Sequence, residues 1–315
     1  MSYASYVIKR ISSSIFVLWA ASIIIFSIIR LVPGDPAAAA VAGEVHPTVV
    51  ENLRIEMGLH LPVWQQYLAW ISDILLLDMG TSMMAGFPII TLLEVRLPRS
   101  LSLAFAAILI ACCIALPLGI LGALNRNSKR DYATLVFSQL GISTPSFLLG
   151  ILLILIFAGH LGLLPARGYI PITESVTGWA RHMILPAVAL GVINAAVITR
   201  FVRSEMLDVL GQDYIETAKA FGHPEKRINR KYALKNAMIP TTTVVALRFG
   251  GIIGGTVVIE TVFNFPGIGM LILDSLFARD YQVLQISILF VAAAFIFINL
   301  IVDLLYGFLD PRIKY

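Results

Sequence analysis

Eight of the chain's 23 basic residues, Arg200, Arg203, Lys219, Lys226, Arg227, Arg230, Lys231 and Lys235, fall in one stretch with Asp213, Glu216 and Glu225. These charges sit where they complement helix ends, so the stretch reads as two short helices rather than a flexible linker. Asp213, three residues before Glu216, has the form of an N-cap with its reciprocal acid. Tyr214 to Phe221 then runs without a breaker until Gly222, which predicts a left-handed stop. Pro224 suits the first turn of a second helix, Glu225 complements its positive start, and the bases from Lys226 to Lys235 load its end. The expectation is a rigid projection: a helix, a glycine and a basic helix, shaped to be held by another body.

A second chemical signal is Arg248, near the middle of an apolar run where insertion costs about 2.5 to 3.5 kcal/mol. Two readings stand. Either Arg248 lines a polar pathway, or it pairs structurally with Asp303 or Glu260. Asn194 and Asn299 are amides in other apolar runs, where they line the same pathway or bridge helices. After Arg248, Gly250 with Gly254 and Gly251 with Gly255 interlace two small-xxx-small pairs. Those glycines pack either within the chain or at a central pathway against a partner subunit.

Bond-making chemistry has no support. No Gly-x-x-x-x-Gly-Lys-Ser/Thr phosphate cradle occurs, and no His-Glu-x-x-His or paired-aspartate protease site. His46, His60, His160, His182 and His223 lack ligand spacing, so no metal is expected. Cys112 and Cys113 are adjacent in an apolar run and read as buried small residues. The chain is expected to bind no cofactor and to catalyse nothing itself.

The elements that position these residues follow from composition. The 315 residues are 58% hydrophobic and 13% charged, against about 25% charged in soluble domains. Membrane is therefore the class, an all-α protein with spans predicted at 11–29, 100–124, 132–158, 183–202, 239–263 and 283–305. The first is read as uncleaved, although residues 33–40 resemble a cleavage site. Pro145 should kink or interrupt the third. Residues 31–97 form an external segment with helical spacing at 46–57 and 62–77, whose Trp64, Tyr67 and Trp70 suit the headgroup region. Residues 260–269 are turn-rich, either a constrained cap over the outer mouth or a simple loop.

Six spans put both termini in the cytoplasm. Fifteen of the 23 basic residues then fall on that side, which satisfies the positive-inside rule and argues against nucleic acid as the partner of the positive charge. The division expected is 1–97, the first span plus external segment, and 98–315, a five-helix core with its projection at about 204–238.

The assembled motifs resemble a known family. They are Leu31-Val32-Pro33-Gly34-Asp35-Pro36, Met57-Gly58-Leu59, Asp78-Met79-Gly80-Thr81-Ser82 and Gly141-Ile142-Ser143-Thr144-Pro145-Ser146-Phe147. To these are added Asp213 to Gly222, Asn236-Ala237-Met238-Ile239-Pro240, Pro266-Gly267-Ile268-Gly269, Arg279-Asp280-Tyr281 and Asp310-Pro311-Arg312. Together they resemble the membrane permease subunits of binding-protein-dependent ABC importers, in the branch handling dipeptides, oligopeptides, glutathione and nickel.

The resemblance implies a type I ABC importer permease fold in the cytoplasmic (inner) membrane. It makes the projection a coupling loop whose Glu-Ala-Ala…Gly signature is met by Glu216, Ala218 and Gly222, with Thr217 replacing the first alanine. The family's proline about thirteen residues past the glycine is absent, and Pro240 comes later. Implied contacts with an ATPase are Asp213, Tyr214, Glu216, Ala218, Gly222, His223, Pro224, Lys226 and Arg227. The pathway residues expected from the spans themselves are Arg248, Gly250, Gly251, Gly254, Gly255 and Asn194. Implied partners are a second homologous permease, two ATPases that use ATP and Mg, an external solute-binding protein and membrane lipid. Peptides are the expected solute, with nickel or a metal chelate, or glutathione, as alternatives. An ion-coupled secondary transporter, the reading from another class, would carry intramembrane acidic or histidine relays and need no projection.

Overall fold

The structure, a computed structural model, describes residues 3–31, 47–56, 58–82 and 85–309. The motif residues 32–36, His46, Met57 and the tail 310–315 lie outside the described residues.

The first helix, α1 (Tyr3–Leu31), is followed by two external helices, α2 (Pro47–Glu56) and α3 (Val63–Leu75). Helix α3 docks on the outer end of α1. Phe26 packs against Tyr67 and Trp70 at ring-centroid distances of 5.3 and 5.6 Å, and the Arg30 guanidinium lies 3.6 Å from the Phe26 ring centroid. Trp64 is the aromatic of the three left exposed. The group therefore does more than anchor at headgroups; two of its three rings fasten the external segment to the first span.

Helix α4 (Ile89–Leu124) is longer than the span expected at 100–124 and runs unbroken across residues 97 and 98. Its buried face repeats every fourth residue, Leu103, Ala107, Ala111, Ala115 and Gly119, a stripe of mostly small residues. Helix α7 (Val176–Leu210), also longer than the expected 183–202, lies along this stripe in the most extensive helix pairing of the chain. The reason is close backbone approach. A Cβ on Gly119 would stand 2.9 Å from the Thr199 carbonyl oxygen, and one on Gly191 2.9 Å from that of Ala107.

Between them, α5 (Lys129–Ser143) and α6 (Ser146–Leu153, continuing as a π-helical turn Ile154–His160) meet at an angle of 100°. The break falls at Thr144 and Pro145. Proline has no N–H to continue the ladder, and it starts α6 instead. Of the two outcomes expected at Pro145, a kink or an interruption, the structure shows the interruption, a sharply bent pair. Among the described residues, five other helices are long and apolar enough to cross a membrane, so the bent pair completes six crossings when counted as one.

The charged stretch departs from expectation in two ways. Gln212, not Asp213, holds the cap position of α8 (Asp213–Ala220), so Asp213 and Glu216 act as first-turn acids toward the positive helix end. The basic helix is also not separate. A short turn, α9 (Glu225–Arg227), passes through a π-helical segment (Ile228–Leu234) into α10 (Lys235–Val262), making one rod of 38 residues with the fifth span. Nothing between Lys235 and Ile239 breaks a helix, and Pro240 is accommodated inside it. A short external helix, α11 (Ile268–Phe277), leads to the last span, α12 (Tyr281–Leu309), which packs on α1 through the Arg10–Asp303 ion pair at 2.8 Å.

Candidate functional site

The inner end of the bundle carries the projection. Ile215 and Ala218 are buried and seat α8 on the body of the chain, while Asp213, Tyr214 and Glu216 are exposed. Gly222 has φ +72°, the left-handed stop that ends the helix, and Pro224, Lys226 and Arg227 are exposed beyond it. Two contacts brace the projection against the rod: Asn236 Nδ2 donates to the Tyr214 hydroxyl at 3.0 Å, and the His223 ring stacks on Tyr232 at 5.9 Å. The knob is therefore fixed to the start of the long rod. Of the residues expected to face another subunit, Ala218 faces inward and His223 is half-buried. Phe221, 79% exposed at the tip, had not been singled out. Its signal was in the sequence, a large apolar side chain between Ala220 and Gly222 in a charged stretch.

At the membrane level, α6, α7 and α10 line a half-open cavity of ≈ 490 Å³, within the range usual for ligand sites. Arg248, Asn194, Gly251 and Gly255 line it together with Ser146. Gly250 is turned away, and a Cβ there would meet the Phe295 ring at 3.0 Å. Gly254 is exposed with nothing within 4 Å. The interlaced glycines thus split: Gly250 serves packing inside the chain, whereas Gly251 and Gly255 clear space in the cavity wall.

Both acids considered as partners for Arg248 are engaged elsewhere. Asp303 binds Arg10, and Glu260 accepts from the Ser100 hydroxyl at 2.5 Å and from the Met270 N–H at 2.9 Å. Among the described residues Arg248 makes no hydrogen bond or ion pair. Asn194 donates to the Leu190 carbonyl at 2.9 Å, and Asn299 to that of Phe295 at 3.0 Å outside the cavity lining.

The outer end is a tied cap rather than a loose loop. Ser100 Oγ accepts the Ile268 N–H at 2.8 Å while donating to Glu260, so a fully buried carboxylate and a hydroxyl hold the start of α11. Glycine at 267 is required by this approach, because a Cβ would collide with Ser100 Oγ and Glu260 Cδ. Beside it, Arg99 lies over the Tyr169 ring at 4.6 Å, and Tyr169 meets Phe265 edge-on at 5.1 Å. Two stretches far apart in sequence also lock here. Asp280 accepts from the Ser82 hydroxyl at 2.7 Å, and Gln282 donates to the Met79 carbonyl at 3.1 Å.

A helical bundle with a braced charged knob at one end, a capped opposite end and, between them, a mostly apolar cavity carrying Arg248, Asn194 and Ser146 has the parts of an integral-membrane transport subunit. Residues 115–315 match the family model described as binding-protein-dependent transport system inner membrane component, and residues 3–104 match that of the N-terminal part of such components. The chain belongs to this family: it is the membrane permease subunit of an ABC importer, a multi-pass protein of the inner membrane and not an enzyme.

Similar proteins include a probable peptide ABC transporter permease, y4tP, of Sinorhizobium fredii, 39% identical over 98% of this chain and 99% of the relative. A dipeptide transport system permease, DppB, of Alkalihalophilus pseudofirmus is 40% identical, and a glutathione transport system permease, GsiC, of Escherichia coli is 39% identical, each over 99% of both chains. Among solved structures, a chain of the MetNI methionine ABC transporter in an inward facing conformation superposes with TM-score 0.59 at 18% identity, covering 71% of this chain and 98% of that one. At that identity the likeness is one of fold. The family partners in general with ATPase and binding-protein subunits.

Proposed function

We propose that this chain forms half of the translocation pathway for short peptides, beside a second homologous permease, with two ATPases at its inner end and an external binding protein at its outer end. Relatives named for peptides and dipeptides support that solute. Glutathione, itself a small peptide with free carboxylates, is the second reading, favoured by the relative named for it. ATP and Mg are assigned to the ATPases, and none to this chain.

The observation that carries the proposal is the cavity lined by Asn194 of α7 and by Arg248, Gly251 and Gly255 of the same rod whose inner end holds the knob. The knob offers Tyr214, Glu216, Phe221 and Lys226 to an ATPase cleft, with Ile215 and Ala218 as its seat. Closure of the ATPases on ATP would move the knob, and the rod would carry that movement to the cavity wall.

The test is cysteine labelling in the reconstituted complex after Cys112 and Cys113 are replaced. Gly251→Cys and Gly255→Cys should react with a small water-soluble thiol reagent, at rates that change when ATP is added and that fall with a saturating dipeptide. Labelling that ignores both ATP and peptide would remove these residues from the pathway.

A further inference from the structure

Resting on the peptide reading, we infer that the Arg248 guanidinium is the recognition point for the free carboxylate of the solute as it crosses the cavity. Among the described residues Arg248 is the one charged group lining the cavity; the other nine lining residues are apolar or uncharged. Both acids of this chain weighed as its partners are held by other groups, Asp303 by Arg10 and Glu260 by Ser100 and the Met270 N–H. Arg248 is exposed on the open side of the cavity, an unpaired guanidinium at membrane depth is costly, and the described residues supply no acid to offset it. A carboxylate is the complementary group, since the planar fork binds its two oxygens at once.

The surrounding groups agree in sign. Ser146, the first residue of α6, lines the same cavity, so the end of that helix which favours negative charge lies at the cavity's edge. Asn194 spends its amide N–H on Leu190, which leaves its carbonyl oxygen for a donor such as a peptide N–H. The cavity therefore suits an anionic end followed by an amide, and it repels a bare divalent cation. A metal would pass in an anionic chelate.

The test compares alanyl-phenylalanine with its C-terminal amide in proteoliposomes holding the full complex. Each peptide is supplied on saturated binding protein, and initial uptake is measured for wild type, Arg248→Ala and Arg248→Lys. Dividing the acid-to-amide ratio of wild type by that of the variant cancels the preference of the binding protein. The expected result is a fall of about tenfold or more in the ratio for Arg248→Ala, the size of a lost charge-assisted pair, and a partial recovery with Arg248→Lys. Equal losses for acid and amide would overturn the inference, because they mean that Arg248 pairs with a partner subunit or holds the fold. An unchanged ratio would overturn it as well. A wild-type complex that imports neither peptide removes the peptide reading and this inference with it, whereas import of both with an unmoved ratio removes this inference alone.

Discussion

Arg203 and Asp131 form a two-point ion pair between α7 and the first turn of α5, with Nε 2.5 Å from Oδ1 and Nη2 2.8 Å from Oδ2. The carboxylate is nearly inaccessible and also accepts the Asn127 N–H at 2.9 Å. The pair ties the turn after α4 to the helix that leads into the projection. Removing one partner of such a pair strands the other charge and costs about 3 to 5 kcal/mol. Asp131→Ala should therefore lower the melting temperature of the detergent-solubilised chain clearly, and adding Arg203→Ala should restore part of the loss. Additive losses would mean that the two residues act independently.

At Gly222 the backbone is left-handed, yet no atom lies within 4 Å of where a Cβ would be. Any cost of substitution is therefore conformational and not steric, roughly 1 to 2 kcal/mol for an ordinary residue, while asparagine tolerates the region. Gly222→Val should raise the ATP hydrolysed per solute imported several-fold with the complex still assembled, and Gly222→Asn should stay near wild type. If valine leaves that ratio unchanged, the left-handed stop has no part in coupling.

Phe221 presents a bare aromatic ring at the tip of the projection, and buried aromatics commonly dominate protein contacts. Phe221→Ala should weaken ATPase binding about tenfold, the equivalent of ~1.4 kcal/mol, as measured by titrating solubilised permease with ATPase. Because the residue is largely exposed and buries little surface against this chain, thermal stability of the isolated permease should not fall. A loss of stability without a loss of affinity would assign Phe221 to the fold.

Gly267→Ala tests the outer cap. The added methyl must displace Ser100 or Glu260, breaking hydrogen bonds that a buried carboxylate cannot replace with water. Uptake should be lost while ATPase binding at the opposite end is retained. Normal uptake would show that the cap yields without consequence.

Much of this was legible from local pattern. Apolar length placed the crossings, Pro145 marked the break, and Gly222 marked the stop, because each depends on neighbours in sequence. Helix ends were read too short in α4 and α7 because Arg96, Arg99, Arg181 and Arg203 look like span boundaries, although a helix continues beyond the bilayer at no penalty. The separate basic helix failed for the same reason: charge changed at Lys235, but the helix does not break there and only passes from π-helical to α-helical winding. The Arg203–Asp131 pair, the Ser100–Glu260 knot and the α4–α7 stripe join residues far apart in the chain, and no spacing rule reaches them. For Arg248 the sequence narrowed the acids to two; only their own partners in space removed both. The face of Gly250 could not be told from that of Gly251 until Phe295 was in place.

The rod from Glu225 to Val262 has one further consequence. Successive residues on an α-helix are turned by about 100°, so its angular register is counted in whole residues. Inserting or deleting one residue between Lys235 and Arg248 would swing the cavity wall by about that angle relative to the knob. Exchange of the inner loop between relatives thus keeps working parts aligned only when the residue count is conserved, whatever the letters in between.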